Sequence, residues 1–425
     1  MQSNKEHATS FFADSLRLCT FAYAFVFRMA LPLKRATSFI NARVLNEDGI
    51  IAASLRLKRG RFDETDAQPH NGDLIVDLNG DLIAPGLINA HDHLEFNCFK
   101  RLKWREKYRN AAEWIADFQP RFETDPDLLG PLAIPLADRL WIGGLKNLLS
   151  GVTTVCHHNP WHRALDNGFP VRVVKNFRYS HSLLIDGDKV ANSYRRTPHD
   201  WPWIIHLAEG IDDAAAAELT RLQALQCLHA NTVLVHGVGF TTADHARVID
   251  SGGALIWCPS SNQFLFGETA NIAAFTAAHR VALGSDSRLS GERDFLAELK
   301  IAHAANQVDA KTLFRMITCD AAKILRLPYA GRIAANLPAD LTVFRSTKAD
   351  PFACIISAQR ADIRLVMIAG QPQIGDLDMA PFFAAAKVAT ARIRIDGVDK
   401  LMAAGIAHRL QRAAVSEPGL DIFRA

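Results

Sequence analysis

Seven short apolar runs lie between residues 85 and 327 of this 425-residue chain, and the segments between them are helix-like. Their β-branched and apolar residues are typical of parallel strands covered on both faces. The step of 30 residues from His206 to His236 spans one strand–helix–strand unit. We therefore predict an α/β fold with a (β/α)8 barrel of the TIM type. The runs are GLINA (86–90), VTTVC (152–156), VRVVKNF (171–177), WIIHL (203–207), TVLVH (232–236), ALIWC (254–258) and VALGS (281–285).

The pattern divides the chain into several regions. Short β-type runs with turn signals occupy residues 35–84 and return at 330–375, which predicts one small discontinuous β-sandwich domain. The intervening residues 85–329 form the predicted barrel. Only about 25 residues separate its third run from WIIHL, so we expect a reduced fourth strand at 182–186. The last residues, 376–425, have two helical patterns and are predicted to form a helical extension.

Residues 1–34 are interpreted as a poorly structured leader. An apolar run at 18–27 lies between Arg17 and Arg28, and its ten residues are too few to span a bilayer. A run of this length could serve as the core of a signal peptide, but no small-residue cleavage site follows it cleanly. We favour a leader that precedes a domain beginning near Met29.

Composition excludes several classes of partner. The net charge of +3 has no clustered source, so we expect neither nucleic acid nor a membrane as a partner. The seven cysteines are odd in number and lack a CxxC pair, which favours a reducing compartment and a cytoplasmic location. The expected partners are a small-molecule substrate and, as an alternative to a monomer, further copies of the chain.

Polar residues end four of the apolar runs, and the carboxyl ends of barrel strands share one face of the barrel. His91 and His93 are two residues apart, so on a strand both imidazoles point the same way. With His206 and Asp286 they offer three imidazoles and one carboxylate. This donor set, with an open position for water, is typical of a catalytic zinc or iron(II) site.

Taken singly, these residues have ordinary explanations. An isolated HxH pair is more often part of a solvated loop, His206 a hydrogen-bonded core histidine, and Asp286 a turn residue. Only the combination of the four residues raises the odds that each one binds a metal ion.

A bound divalent cation lowers the pKa of its water to about 7, which provides hydroxide at neutral pH. Asp286 can accept the proton of that water, and His236 can orient the water or hold the charge that develops opposite it. Glu209, in His206-Leu207-Ala208-Glu209, is then available for a second proton transfer. Its simpler interpretation is a carboxylate stabilised at a helix N-terminus.

One competing motif is rejected. His93-Leu94-Glu95 matches the HxE of cytidine-type zinc deaminases, but those enzymes also need PCxxC. No cysteine in this chain follows a proline.

Five motifs together resemble the amidohydrolase superfamily, and in particular its deaminase and chlorohydrolase branch. They are PGLINAHDH, HLAE, VLVHGVG, WCPSSN and ALGSDS, in family order over residues 38–375. The resemblance implies one metal ion, zinc in the first place and iron(II) as the alternative, held by His91, His93, His206 and Asp286. It also implies that Glu209 protonates the substrate and that His236 contacts the hydrolytic water.

The substrate contacts are harder to transfer. The family's fourth segment often supplies a substrate-facing histidine in an APHA-like motif, which is absent here, and His181 is the candidate to replace it. Phe96, Trp257 and Asn262 are the other predicted substrate-binding residues. Three further histidines follow the second strand and could line the pocket or lie on the surface. They are His157, His158 and His162.

We therefore expect a metal-dependent hydrolase that deaminates a small nitrogen heterocycle with metal-bound hydroxide. The alternatives are a chlorohydrolase or a cyclic or linear amide hydrolase, which could use two metals bridged by a carboxylated Lys175. A lysine reaching solvent at a strand end is the simpler interpretation of Lys175. A non-catalytic scaffold is a third alternative.

Deletion of residues 1–28 should leave folding and activity unchanged, because the predicted domain begins near Met29. Circular dichroism and a turnover assay on the shortened chain would check this. Loss of folding on deletion would contradict the interpretation of this segment as a leader.

Overall fold

The computed structural model describes residues 35–423, so the predicted leader, residues 1–34, lies outside the described residues. Within residues 35–423, no single helix is long and apolar enough to cross a membrane. Two helices, Pro126–Ala133 and Leu136–Leu149, meet the length and composition requirements only together, and the chain bends by 97° between them. Most residues of the second helix are buried within the protein.

The described chain begins with seven short strands. Four of them form one sheet in the order β5-β4-β1-β6, in which β1 pairs antiparallel with β4 and parallel with β6. The turn signal at residues 46–49 connects β2 to β3, which pair as an antiparallel hairpin. The strands are β1 (Thr37–Ile40), β2 (Arg43–Leu45), β3 (Ile50–Ala52), β4 (Leu55–Lys58), β5 (Arg61–Thr65), β6 (Leu74–Asp77) and β7 (Leu82–Pro85).

Eight parallel strands follow in two sheets, a three-stranded sheet of order β10-β9-β8 and a five-stranded sheet of order β11-β12-β13-β14-β15. The predicted α/β class is therefore confirmed. The strands are β8 (Leu87–Asp92), β9 (Val152–His157), β10 (Arg172–Val173), β11 (Arg178–Ser182), β12 (Trp203–Leu207), β13 (Thr232–His236), β14 (Ala254–Trp257) and β15 (Val281–Leu283).

The two parallel sheets meet along a seam between β8 and the end of β15. Ser285 N donates to His91 O, and His93 N donates to Asp286 O, both at 2.9 Å. A Cβ atom on Gly284 would lie 2.7 Å from the His91 Cβ atom, so this close approach requires glycine there. On the other side, no ladder joins β10 to β11 in the described chain. The hydrogen-bonded ring of a closed barrel is thus not complete.

The fourth parallel strand is not where we expected it. Residues 182–186 were predicted as a strand, but β11 ends at Ser182 and Leu183–Asp186 is a short helix. The Ser182 hydroxyl accepts a hydrogen bond from Ile185 N and caps that helix. The cap ends the strand and begins the helix at a residue that the apolar pattern assigned to the strand.

Helices connect the parallel strands and cover them. Many begin with an Asp, Asn, Ser or Thr side chain that accepts a hydrogen bond from the first turn, as at Asn110, Asp212 and Thr241. Up to residue 324 they are α1 (Ala111–Phe118), α2 (Pro126–Ala133), α3 (Leu136–Leu149), α4 (Leu183–Asp186), α5 (Lys189–Arg195), α6 (Asp213–Ala216), α7 (Glu218–Ala224), α8 (Thr242–Asp250), α9 (Pro259–Phe266), α10 (Ala273–Ala277), α11 (Phe295–Ala304), α12 (Ala310–Met316) and α13 (Cys319–Ile324).

Side chains alternate between two apolar clusters along the parallel strands. Leu255 and Trp257 of β14 belong to the large cluster shared with the helices. Ile256, between them, belongs to a second cluster that also contains Ile88 of β8 and Val235 of β13. Because this second cluster takes residues from both parallel sheets, the two sheets share one apolar core.

The remaining strands extend a nine-stranded sheet of order β21-β19-β20-β18-β17-β16-β7-β2-β3. The antiparallel pairing of β7 with β16 joins the two separated β-rich segments. The strands are β16 (Leu341–Phe344), β17 (Ile363–Ile368), β18 (Gln371–Asp376), β19 (Thr390–Ile395), β20 (Val398–Ala403) and β21 (Leu420–Ile422). The helices are α14 (Pro351–Ser357), α15 (Ala380–Ala385) and α16 (Ala404–Arg412).

The predicted helical extension at 376–425 was wrong for much of its length, because β19, β20 and β21 lie within it. Burial alternates along β19: Ile393 and Ile395 are buried, while Arg392 and Arg394 are exposed. This period of two is typical of a strand. The two residues that connect β19 to β20, Asp396 and Gly397, have φ angles of 44° and 86°. Positive φ at both positions is typical of a tight Asp-Gly hairpin turn.

This turn leads to a prediction about stability. Gly397→Ala should lower the free energy of unfolding by about 1–2 kcal/mol, because a Cβ atom disfavours the left-handed region. Gly405→Ala, in α16, is the matched control, since no heavy atom lies within 4 Å of its ideal Cβ position. The control should be neutral or stabilising by up to about 1 kcal/mol. Urea unfolding measures both, and equal effects of the two substitutions would contradict the assigned turn.

Candidate metal centre

Three imidazoles and one carboxylate come together where β8, β12 and β15 end. One possible ligand atom from each of His91, His93, His206 and Asp286 lies within 4.8 Å of the others. The His206 Nε2 atom is 3.1 Å from Nε2 of His91 and 3.3 Å from Nε2 of His93. The Asp286 Oδ1 atom is 3.7 Å and 3.5 Å from those two nitrogens. All four side chains are buried. We call this set the four-residue cluster.

The donor atoms of this cluster fit a divalent metal ion. Two nitrogens bound to tetrahedral zinc at about 2.0–2.1 Å lie about 3.3 Å apart. The separations of 3.1 Å and 3.3 Å between Nε2 atoms agree with that value. Asp286 adds an oxygen donor of the type that zinc and iron(II) accept. The residues present therefore suit a mononuclear site.

Hydrogen bonds behind the cluster determine which nitrogen carries the proton. His206 Nδ1 is 2.8 Å from the carbonyl oxygen of His181, so Nδ1 must donate and Nε2 keeps its lone pair. His158 Nε2 is 3.1 Å from the carbonyl of Ser180, so it donates there. His158 Nδ1 is then an acceptor for His91 Nδ1, 3.1 Å away. His91 and His206 thus each direct a free Nε2 lone pair into the cluster.

Burial keeps the imidazoles of His91 and His206 neutral. It lowers the pKa of His91 to about 3, and it lowers the pKa of His206 well below the usual range of histidine. Burial alone would raise the pKa of Asp286, but the neighbouring imidazoles of His91, His93 and His236 outweigh this effect and lower it below its usual value. Neutral imidazoles and an ionised carboxylate are the forms that bind a metal.

Two hydroxyl groups hold one oxygen of Asp286. Ser261 Oγ and Ser290 Oγ donate to Asp286 Oδ2 at 2.6 Å and 2.8 Å. Oδ1 is therefore the oxygen that faces His91 and His93. The carboxylate is fixed in one orientation by its neighbours.

Asp92, between the two histidines of HxH, points away from the cluster. Three asparagine amides donate to its carboxylate, from Asn97 at 2.7 Å, Asn147 at 2.8 Å and Asn89 at 3.1 Å. Burial raises the pKa of Asp92 to about 7. This hydrogen-bonded group ties the end of β8 to α3 and to the turn after the strand.

A second pair of groups, Glu209 and His236, lies beside the cluster. His236 Nδ1 is 2.8 Å from Asn262 Oδ1, which must accept, so the His236 Nε2 lone pair is free. That Nε2 atom is 3.6 Å from Glu209 Oε1. The Glu209 side chain is 17% exposed, and burial raises its pKa well above the usual value, with smaller contributions from Asp286 and Glu218. Burial thus favours the protonated form of the Glu209 carboxyl group.

Three strands end through residues with positive φ. The angles are 52° at Ala208 after β12, 76° at His236 in β13 and 58° at Asp286 after β15. For a residue other than glycine this conformation costs of order 1–3 kcal/mol. At Ala208, the backbone N–H donates to Glu218 Oε2 at 2.7 Å and helps to hold the turn. Two of these three residues, His236 and Asp286, have side chains that belong to the site.

The predicted substrate residues separate into two pairs. His181 and Phe96 lie beside the cluster: the His181 ring centroid is 4.6 Å from that of His206, and the Phe96 centroid is 6.4 Å from that of His93. Both stay predicted substrate contacts.

The structure does not support Trp257 and Asn262 as substrate contacts. Trp257 is fully buried in the helix-facing core, because alternation along β14 turns its side chain to that face. Asn262 is also fully buried, and its amide group contacts His236 and Thr269. The polar atoms of Asn262 are thus occupied within the protein, which makes it a support for His236 and not a substrate contact.

The contacts of Lys175 are with residues outside the four-residue cluster. Its side chain is 44% exposed, and Nζ is 3.0 Å from Asp166 Oδ1 and 4.8 Å from the Trp161 ring centroid. Within residues 35–423, the only group of metal-binding side chains found is the four-residue cluster. These contacts favour one metal ion over a lysine-bridged pair.

Several supporting residues escaped the sequence analysis. His158 was left undecided among the histidines after β9, and the structure places it behind His91. Ser261 was overlooked, although it stands in the WCPSSN motif next to Asn262, and Ser290 lies four residues after Asp286. A serine near a predicted metal ligand was the available signal, but serines are too common for this to be decisive.

Part of the chain matches the model of a known protein family. The model of the amidohydrolase family matches residues 199–372, which contain His206, Glu209, His236 and Asp286. A 5-methylthioadenosine/S-adenosylhomocysteine deaminase of Halobacterium salinarum is 25% identical over 377 residues, covering 74% of this chain and 86% of the relative. Over the matched residues the chain is similar to the amidohydrolase family.

Solved structures share the fold. An adenosine deaminase of Xanthomonas campestris with bound zinc superposes with a TM-score of 0.63 at 18% identity, covering 83% of this chain and 97% of that chain. A mutant atrazine chlorohydrolase of Arthrobacter aurescens, complexed with zinc and atraton, superposes with a TM-score of 0.65 at 16% identity, covering 82% and 100%. At these identities the likeness concerns the fold alone.

The support from His158 can be tested by metal affinity. His158→Phe keeps a flat ring beside His206 but removes the acceptor for His91 Nδ1, so metal affinity should fall about 10–100-fold. Competition with a chelator measures this. His408→Phe, exposed on α16, is the matched control and should leave the affinity unchanged. Equal affinity of the two variants would contradict the role of His158.

Proposed function

We propose that this chain is a metal-dependent hydrolase that removes an amino group from a small nitrogen heterocycle. The observation that carries the proposal is the arrangement of the four-residue cluster beside Glu209 and His236. Its chemistry combines metal-binding donors with a buried carboxyl group suited to proton transfer. The similarity to a methylthioadenosine/adenosylhomocysteine deaminase supports a heterocyclic substrate.

The fold proposed for this activity is a (β/α)8 barrel with a discontinuous β-sandwich. The barrel is supported by eight parallel strands, the core shared by their two sheets and the seam between β8 and β15. The solved structures of similar fold also support it. We assign the barrel to residues 85–329 and the sandwich to 35–84 and 330–375, with β19 to β21 continuing its larger sheet.

The proposed cofactor is one zinc ion, held by His91, His93, His206 and Asp286. The fit of the nitrogen separations to tetrahedral zinc supports this choice. When bound, such an ion acidifies a water molecule to a pKa of about 7 and so supplies the nucleophile at neutral pH.

The residues of the chain divide the proton transfers between them. Asp286 accepts the proton of the attacking water through Oδ1, because its other oxygen is occupied by Ser261 and Ser290. His236 accepts a hydrogen bond from the water through Nε2, since Asn262 keeps the proton on Nδ1. Glu209, whose raised pKa favours the protonated form, donates its proton to a ring nitrogen of the substrate and makes the amino group easier to displace.

Ammonia release from a panel of aminated purines, pyrimidines, pterins and triazines tests the proposal with zinc-loaded protein. Glu209→Gln should lower kcat by about 10²–10⁴-fold, because it removes the proton donor, while the metal content stays near one per chain. The exposed Glu268→Gln serves as the matched control and should retain full activity.

Two further results bear on the same proposal. His206→Asn should lose both metal and activity, and full activity of this variant would show that the metal assignment is wrong. Silence of the wild-type protein across the whole panel would contradict the proposed deamination.

A further inference from the structure

Glu95 is a mostly buried carboxylate beside the site, and the proposed mechanism does not use it. It stands on the short turn Leu94–Phe96, directly after the ligand His93, and its side chain is 13% exposed. Oε1 accepts a hydrogen bond from Asn159 Nδ2 at 2.6 Å. Oε2 is buried and has no hydrogen-bond partner within residues 35–423. One oxygen of this carboxylate is therefore fixed and the other is unsatisfied.

The side chain of His157 does not satisfy that oxygen. His157 Nδ1 lies 3.8 Å from Glu95 Oε2, beyond hydrogen-bond distance. The same Nδ1 atom accepts a hydrogen bond from Leu94 N at 3.3 Å, so its lone pair is already engaged. A buried acceptor without a donor is costly, and such groups in native proteins call for a partner.

The surroundings of Glu95 place it on one side of the four-residue cluster. Burial raises the pKa of Tyr179, a residue of β11, and the negative charge of Glu95 raises it further. Glu95 therefore lies close enough to Tyr179 to interact with it electrostatically. The Tyr179 ring centroid is 4.8 Å from that of His158, and His158 stacks on His206 at 4.5 Å. Glu95 thus belongs to the β8, β9 and β11 side of the site.

A second unsatisfied polar atom lies on this side. His181 Nδ1, from β11, is buried without a hydrogen-bond partner in the described part of the chain. Glu209 instead follows β12, and His236 is the last residue of β13. A flat substrate with its reacting carbon near Glu209 would therefore extend its opposite edge toward Glu95 and His181.

We propose that Glu95 determines substrate specificity by accepting a hydrogen bond from an N–H or O–H group on the substrate edge remote from the reacting carbon. This inference rests on the proposed function. The substrate class is a neutral or cationic aminoheterocycle that carries a second exocyclic amine or a hydroxylated substituent. Asn159 positions the carboxylate, and a negatively charged substituent at that edge is disfavoured by repulsion from Glu95.

Two matched pairs of probes test the proposal by isothermal titration calorimetry on metal-loaded protein carrying Glu209→Gln. This protein lacks the proposed proton donor, so it binds the probes without consuming them. They are 2,6-diaminopurine against adenine, and adenosine against 2′,3′-dideoxyadenosine; each pair differs in hydrogen-bond donors. With Glu95 unchanged, this protein should bind the donor-bearing member of at least one pair tenfold or more tightly. A site built to bond a donor rejects the analogue that lacks it.

Variants of Glu95 separate recognition from folding. Glu95→Ala and Glu95→Gln should both lose the preference, because in the glutamine variant Asn159 retains the oxygen and the amide nitrogen replaces the free acceptor. Glu95→Asp keeps the charge and should restore part of the preference. Metal content and the unfolding midpoint should stay unchanged, and the exposed Glu64→Gln in the sandwich is the matched control.

Absence of a preference with Glu95 unchanged, or its persistence after Glu95→Ala, would overturn the proposal. Failure of the proposed function is distinguished from failure of this inference, because ammonia release is measured separately from binding. Binding with the expected preference but without ammonia would contradict deamination alone. Turnover of both members of each pair with equal affinity would contradict the role of Glu95 alone.

Discussion

The seam between β8 and β15 is the contact on which the candidate site depends. Backbone hydrogen bonds join His91 and His93 to Ser285 and Asp286, so the residues that close the sheet are also the candidate ligands or their neighbours. The close approach at Gly284 lets the two strand ends meet. Since the metal-binding donors come from both sides of this seam, binding of an ion would stabilise the folded arrangement as well as the site.

Helix α9 supports two different parts of the site at once. Ser261 holds Asp286 and the next residue, Asn262, holds His236. The helix is itself attached to α11, because Glu298 accepts a hydrogen bond from Ser260 N at 3.0 Å. The proposed proton acceptor and the residue proposed to orient the water are therefore positioned by one helix.

The sequence predicted the strand ends well, because apolar runs with a polar last residue mark them directly. His91, His93, His206 and Asp286 were found in this way, and the structure brings them together. The predictions that were wrong concerned features that the apolar runs do not encode. The Ser182 hydroxyl caps a helix, so the fourth strand ends at Ser182 and does not continue to residue 186. The turn at Asp396 and Gly397 connects two strands in a segment that the sequence pattern predicted to be helical. Trp257 was misassigned because adjacent residues of a strand face opposite sides, and the apolar run does not say which face is which.

The positive φ angles at Ala208, His236 and Asp286 have a consequence for how this protein can vary. At each position glycine would relieve the backbone, but at His236 and Asp286 it would also remove a side chain of the proposed chemistry. A chain that lost its activity could therefore become more stable at these two positions. The site is maintained against the conformational preference of its own backbone, so selection for stability alone would erode it.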